Sequence, residues 1–207
     1  MRKPLAKSPT VDLLLVFVAV FLAQRLVETF VPTAVGLFAL APPLDVRPWT
    51  VVTSVYAHDD LSHLFANSVA LVFVGLPLER TTTPFRFHLF FLGSGATAGV
   101  VQVLTKSLVA EPVPVLGASG AVFAMLGYVL TGNRLASGLL ARIDPSPGVQ
   151  LAGFAGLAAV VTVATGSPGV ALIAHFTGFL IGLVAGRLGV LDAPPVAGRR
   201  RENTTYK

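Results

Sequence analysis

A serine lies between glycines, Gly117-Ala118-Ser119-Gly120, at the leading end of the apolar stretch 113–131. A hydroxyl in such surroundings must find a partner, line a wet cavity or do chemistry. Serine becomes a useful nucleophile when a base takes its proton, and histidine is the side chain suited to that task near neutral pH. The chain has four histidines: His58, His63, His88 and His175. His63 and Asn67 are four residues apart, so on a helix they share a face, and both carry donors that can stabilise a developing oxyanion. Together these residue types permit acyl transfer through a serine, if the fold brings them to one place.

The elements that must do so are membrane helices. Of 207 residues, 54% are hydrophobic and 12% charged, against roughly 25% charged in a soluble domain, and the mean hydropathy is +0.77. The apolar runs suffice for about six spans of ~20 residues, predicting an all-α membrane protein with one six-helix bundle over 11–190. Short tails flank it, 1–10 and a basic 191–207, both expected to be cytoplasmic. The first span is read as retained, beginning near Leu13 and interrupted by Arg25 and Glu28, which can pair at i,i+3. Residues 31–61 are too apolar for a free loop and too rich in proline (Pro32, Pro42, Pro43, Pro48) for a span. They predict a membrane-associated first loop with Trp49 and Tyr56 at headgroup level. Further spans follow at about Leu61–Leu78, Phe87–Ser107, Leu116–Gly132, Val149–Thr165 and Gly169–Val190. With that count, Arg2, Lys3, Lys7, Arg80, Arg86, Arg134, Arg142, Arg187, Arg199, Arg200, Arg201 and Lys207 fall on one side, and only Arg47 and Lys106 on the other. By the positive-inside rule both termini are cytoplasmic. The same distribution accounts for the net charge of +5 without nucleic acid, and an Asn203-Thr204-Thr205 sequon on the inner side would go unmodified.

Depth then follows from helical rise. The second, fourth and sixth spans enter from outside, so His63, Asn67 and Ser119 fall in their outer turns, with His175 ~9 Å below the sixth span's start. Ser94, equally flanked by glycines, sits on a span of opposite direction and reads as a packing residue; His88 reads as interfacial. Gly178 and Gly182 on the sixth span and Gly120 on the fourth form small-residue stripes that allow close helix approach. Without an acid after His175, serine and histidine would form a dyad, and the open helix start at Ser119 adds backbone N–H groups for the oxyanion. Other chemistries lack their groups. There is no cysteine for thiolate chemistry, no His-Glu-x-x-His for a metal, no pair of membrane aspartates and no phosphate-binding loop. No metal and no cofactor is expected.

Four marks carry a resemblance over about residues 47–189: His58-x4-His63-x3-Asn67, Glu79-Arg80, Gly117-Ala118-Ser119-Gly120, and Ala174-His175-x2-Gly178-x3-Gly182. In this the chain resembles the rhomboid intramembrane serine proteases. The resemblance implies Ser119 as nucleophile, His175 as general base, and oxyanion stabilisation by His63, Asn67 and the Ser119 N–H. It also implies that His58 supports the first loop and that Glu79 and Arg80 hold the inner end of the second span. Its substrates would be transmembrane proteins, cut in or near their membrane segments at the outer side of the cell membrane. The chain departs from the family pattern in Arg47-Pro48-Trp49, where Trp-Arg is usual, and in Phe123, where a tyrosine often packs beside the catalytic histidine. Two other readings are weighed: a non-catalytic rhomboid-like protein that binds or escorts membrane helices, and a small transporter, which would need an inward polar route and discontinuous helices.

Overall fold

A computed structural model describes residues 8–111, 113–132, 145–166 and 171–192, without the side chains of Pro32 and Thr33. The basic tails, Arg134, Arg142, the Asn203 sequon and the expected start of the last span at Gly169 lie outside these residues. Four long helices begin where the local sequence supplies a cap. Ser8 Oγ accepts from the Val11 N–H to start α1, Pro9–Phe30. Asp60 caps α3, Leu61–Leu78, through the His63 N–H. Thr83 caps α4, Pro84–Ser107, through the Arg86 N–H, and Ser146 caps α6, Pro147–Ala164, through the Val149 N–H. Such oxygens satisfy donors a helix start leaves open, and proline at the first position costs no hydrogen bond.

These four are long and apolar enough to cross a membrane. The remaining apolar helices, α5 (Ser119–Thr131, 13 residues) and α7 (Leu172–Arg187, 16 residues), are shorter. At 1.5 Å per residue they reach about 20 and 24 Å, short of a ~30 Å hydrocarbon core. Neither has a side-chain cap on its own chain segment. The outer surface is apolar, with Phe73 and Phe85 each 75% exposed, whereas Thr10, Gln24 and His58 are fully buried. That inversion of the soluble pattern suits a lipid surround.

Arg25 and Glu28 form the expected i,i+3 pair at 3.0 Å, within a helix that continues to Phe30. One sequence expectation is corrected. The fourth helix does not begin at Leu116. Residues before Ser119 are extended, because Val115 forms a reciprocal backbone pair with Leu40 (2.8 and 2.9 Å) and the Gly117 N–H donates to the Ser54 carbonyl at 2.8 Å. Tyr56, half-buried, stands in a ring cluster with Phe17 and Phe91, at 6.4 and 6.0 Å.

The first loop is a folded platform. A 3-10 turn, Pro32–Leu37, and a four-residue helix α2, Thr50–Thr53, are tied together by Arg47 Nη1 donating to the Gly36 carbonyl and Trp49 Nε1 to the Leu37 carbonyl at 3.0 Å. Thr50 Oγ1 donates to the Arg47 carbonyl at 2.6 Å. The inverted order Arg47-Pro48-Trp49 therefore still anchors the loop. At the opposite end of α3, Glu79 accepts from Ser8 Oγ (2.6 Å) and the Thr10 N–H (3.2 Å). Arg80, expected to share that role, is exposed, and its side chain makes no hydrogen bond or ion pair among the described residues.

Candidate active site

Ser119 is the first residue of α5 and Ala118 its cap position, without a capping side chain. The first N–H groups of the helix thus face its N-terminal end unpaired within the helix. Ahead of it Gly117 has φ +122°, a conformation a side chain resists, and a Cβ there would lie 2.6 Å from Cε1 and 2.7 Å from Nε2 of His63. The space beside Gly117 is thus occupied by the His63 ring. Gly120 also has a job other than the expected one alone: its missing Cβ would meet Ala98 of α4 at 2.8 Å, with the Ala174 carbonyl of α7 at 3.7 Å.

The seam between α5 and α7 is where glycine matters most. A Cβ at Gly178 would overlap the Gly120 carbonyl oxygen, and one at Gly182 the Ala124 carbonyl oxygen. Two helices meeting backbone to backbone carry Ser119 and His175 on adjacent first turns. The His175 ring stacks on Phe123, one turn beyond Ser119, with centroids 4.2 Å apart and planes at 25°. His175 Nδ1 is buried without a hydrogen-bond partner, so the aromatic face, and no carboxylate, orients the imidazole. Among the described residues no hydrogen bond joins Ser119 to His175. A cavity of about 20 Å³ beside Ser119, lined also by Ser54, Gly99, Gly117, Gly120 and Ala171, has room for one water.

His63 and Asn67 do share the inner face of α3: Asn67 is buried and its Nδ2 donates to the His63 carbonyl at 3.2 Å. Among the described residues no hydrogen bond joins Asn67 to Ser119. His58 is fully buried, with Nδ1 3.1 Å from the Tyr56 carbonyl, its N–H donating to Gln24 Oε1 at 3.3 Å, and its ring edge-on to His63 at 5.1 Å. Burial first, and the neighbouring His63 second, push its pKa down to about 4. Its ring is packed inside the loop and against α1, 5.1 Å from Phe17. His88 lies 3.7 Å from Asp12, and buried Ser94 donates to the Phe90 carbonyl at 2.7 Å; neither joins the site.

Two contributors carry no local sequence signal. Gln102 of α4, buried, accepts the Ala174 N–H at 3.1 Å and so caps α7 from another helix. Gln24 of α1, buried, holds the His58 backbone and donates to Glu28 at 3.0 Å. Both lie on the apolar spans themselves, where a polar residue is a cue to look for a partner.

The Rhomboid domain family matches residues 45–191. The chain belongs to the rhomboid family. Among its relatives, Rhomboid protease GluP of Bacillus subtilis (strain 168) is 38% identical over 89 residues, 42% of this chain and 17% of that protein. RHOMBOID-like protein 5 of Arabidopsis thaliana is 34% identical over 103 residues, 49% of this chain and 33% of the relative. Inactive RHOMBOID-like protein 8 of Arabidopsis thaliana is 30% identical over 83 residues, 40% and 22% of the two chains. The chain thus spans a third or less of each of these relatives. Since the rhomboid relatives include one named a protease and one named inactive, catalysis has to be argued from the site.

Proposed function

We propose that this protein is an intramembrane serine protease that hydrolyses peptide bonds in or near transmembrane segments of other membrane proteins. The observation that carries the reading is the α5–α7 seam: glycine-on-carbonyl packing at Gly178 and Gly182 sets a serine at an open helix start beside a histidine stacked on Phe123. Ser119 attacks the scissile carbonyl. His175 takes its proton, returns it to the leaving amine, and activates the water that releases the acyl group. A resting separation between serine and base is compatible with this, since catalytic hydrogen bonds tighten in the substrate complex. The oxyanion is held by the Ser119 N–H with His63 and Asn67, helped by the positive end of α5. A helix shorter than the bilayer, opening beside the loop platform, gives water its way to Ser119. In this reading all six apolar helices span the membrane, both termini are cytoplasmic and the site faces the outer side, as the charge distribution argues. The substrate is a locally unwound transmembrane segment, because a peptide bond in an intact helix is shielded.

The test is labelling by a serine-directed fluorophosphonate and cleavage of a test transmembrane substrate, for the wild type, Ser119→Ala and His175→Ala. Wild type should label and cleave, and both variants should lose cleavage. Labelling that persists in Ser119→Ala, or cleavage that survives either substitution, refutes the dyad. A folded wild type that neither labels nor cleaves would favour a non-catalytic helix-binding member.

A further inference from the structure

His63 makes a contact that the oxyanion role does not by itself require. Its Nδ1 lies 2.5 Å from Oδ1 of Asp59, one turn earlier at the head of α3. An ionised carboxylate has only lone pairs to offer, so a contact this close needs the proton on Nδ1. The opposite edge of the ring, Cε1 and Nε2, faces Gly117, two residues before the nucleophile. A neutral imidazole carries one N–H only. With that proton committed to Asp59, Nε2 presents a lone pair toward the site, and an oxyanion would be repelled by it.

We propose that Asp59 is a positioning residue that fixes the His63 proton on Nδ1, so that His63 donates to the oxyanion only as the imidazolium. The inference rests on the protease reading for the oxyanion and on geometry alone for the tautomer. The charges facing His63 are consistent with a supported cation. Asp59 bonds its ring, and Asp60 accepts its backbone N–H at 2.8 Å. Against them stand two imidazoles, His58 edge-on at 5.1 Å and His175 across the site, and Arg25, whose Nη2 reaches the His58 carbonyl at 3.4 Å. The carboxylate is 63% exposed and the His63 side chain 29%, so the pair is partly screened and its effect is modest and sensitive to salt.

Two measurements on the full chain in detergent micelles test this. In nitrogen-15 spectra of labelled histidine, with His63→Ala to assign the signal, neutral His63 should carry its proton on Nδ1. In the same spectra Asp59→Ala should lose the preference for Nδ1, and Asp59→Glu should restore it. In substrate cleavage Asp59→Ala should lower the rate and Asp59→Glu should recover it. A purely structural role for Asp59 would lower the rate without changing the tautomer. A neutral His63 with its proton on Nε2, or a tautomer unchanged in Asp59→Ala, overturns the proposal. If the wild type cleaves nothing, the protease reading fails by that result, while the nitrogen shifts still decide the tautomer.

Discussion

Replacing Gly178 by alanine tests whether the helix seam holds the nucleophile and base in register. The added Cβ would lie 2.9 Å from the Gly120 carbonyl carbon and 3.2 Å from its Cα, nearer still to the oxygen, where ordinary contact begins at 3.4 Å. The obstacle is backbone, which cannot rotate aside as a side-chain tip can, so α7 must retreat from α5 by on the order of 1 Å. Overpacking of this kind costs about 1–3 kcal/mol, against a helix-propensity gain for alanine of at most about 1 kcal/mol. The catalytic effect should exceed the effect on stability. The retreat widens the gap between Ser119 and His175, and a displacement of ~1 Å in a reacting pair costs about 100-fold in rate. The assay is cleavage of the test transmembrane substrate alongside thermal unfolding in the same detergent. Gly156→Ala on α6 is the internal control, since a Cβ there meets nothing within 4 Å; it should leave cleavage within error of wild type and should not lower the unfolding temperature. A Gly178→Ala protein that cleaves within about threefold of wild type would refute the argument that backbone contact at this seam sets the site.

Gln102→Leu should strand the buried Ala174 N–H at a cost of about 1–3 kcal/mol, seen as a lowered Tm. Its kcat should fall more than its KM changes, because α7 is the element that carries the base; Gln102→Glu, which keeps an acceptor, should recover most of both. His58 gives a pH signature. Its folded-state pKa of about 4 lies below the ordinary 6.5, so the unfolded chain takes up the proton first. Its contribution is therefore fully present above pH 6.5 and is lost as pH falls toward 4, about 3 kcal/mol in all. The Tm of wild type should drop more steeply over that window than the Tm of His58→Leu, and parallel curves would show that His58 is not the buried neutral group.

How much of this was readable from the sequence depends on where each helix gets its start. Helices α1, α3, α4 and α6 begin at a polar residue followed by proline or an apolar run: Ser8-Pro9, Asp60-Leu61, Thr83-Pro84 and Ser146-Pro147. The start is local chemistry, so the spans at Leu61–Leu78 and near Val149 were legible. The α5 start was not, because tertiary pairing sets it: Leu40 with Val115 and Ser54 with Gly117 hold the chain extended up to Ser119. That Ser119 and His175 lie near the starts of neighbouring helices was legible because depth along helices follows from the charge bias and helical rise. The ring of His63 over Gly117, the Asp59 partner and the cap from Gln102 were not, since each depends on how side chains meet across elements distant in sequence or at a loop end. Arg80 misled because a motif position suggested a contact that its exposure does not support.

Of the six apolar helices, the two without local caps are the two that carry the proposed nucleophile and base, and this is where local rules and chemistry conflict. A serine or aspartate at position 118 would satisfy N–H groups at the α5 start and contribute about 1 kcal/mol. It would also occupy the donors that an oxyanion needs, and Ala118 is fully buried, with no room for a larger residue. At α7 the missing local cap is replaced from α4, through Gln102, which accepts the Ala174 N–H. On the proposed chemistry, both departures from ordinary helix design follow from one requirement: the donors and the base must stay uncovered until substrate arrives. The stability forgone at these starts is offset along the same helices, where Gly178 and Gly182 let α7 close against the backbone of α5. Site and seam are therefore one structural solution, and a substitution that loosens the seam should be felt first at Ser119.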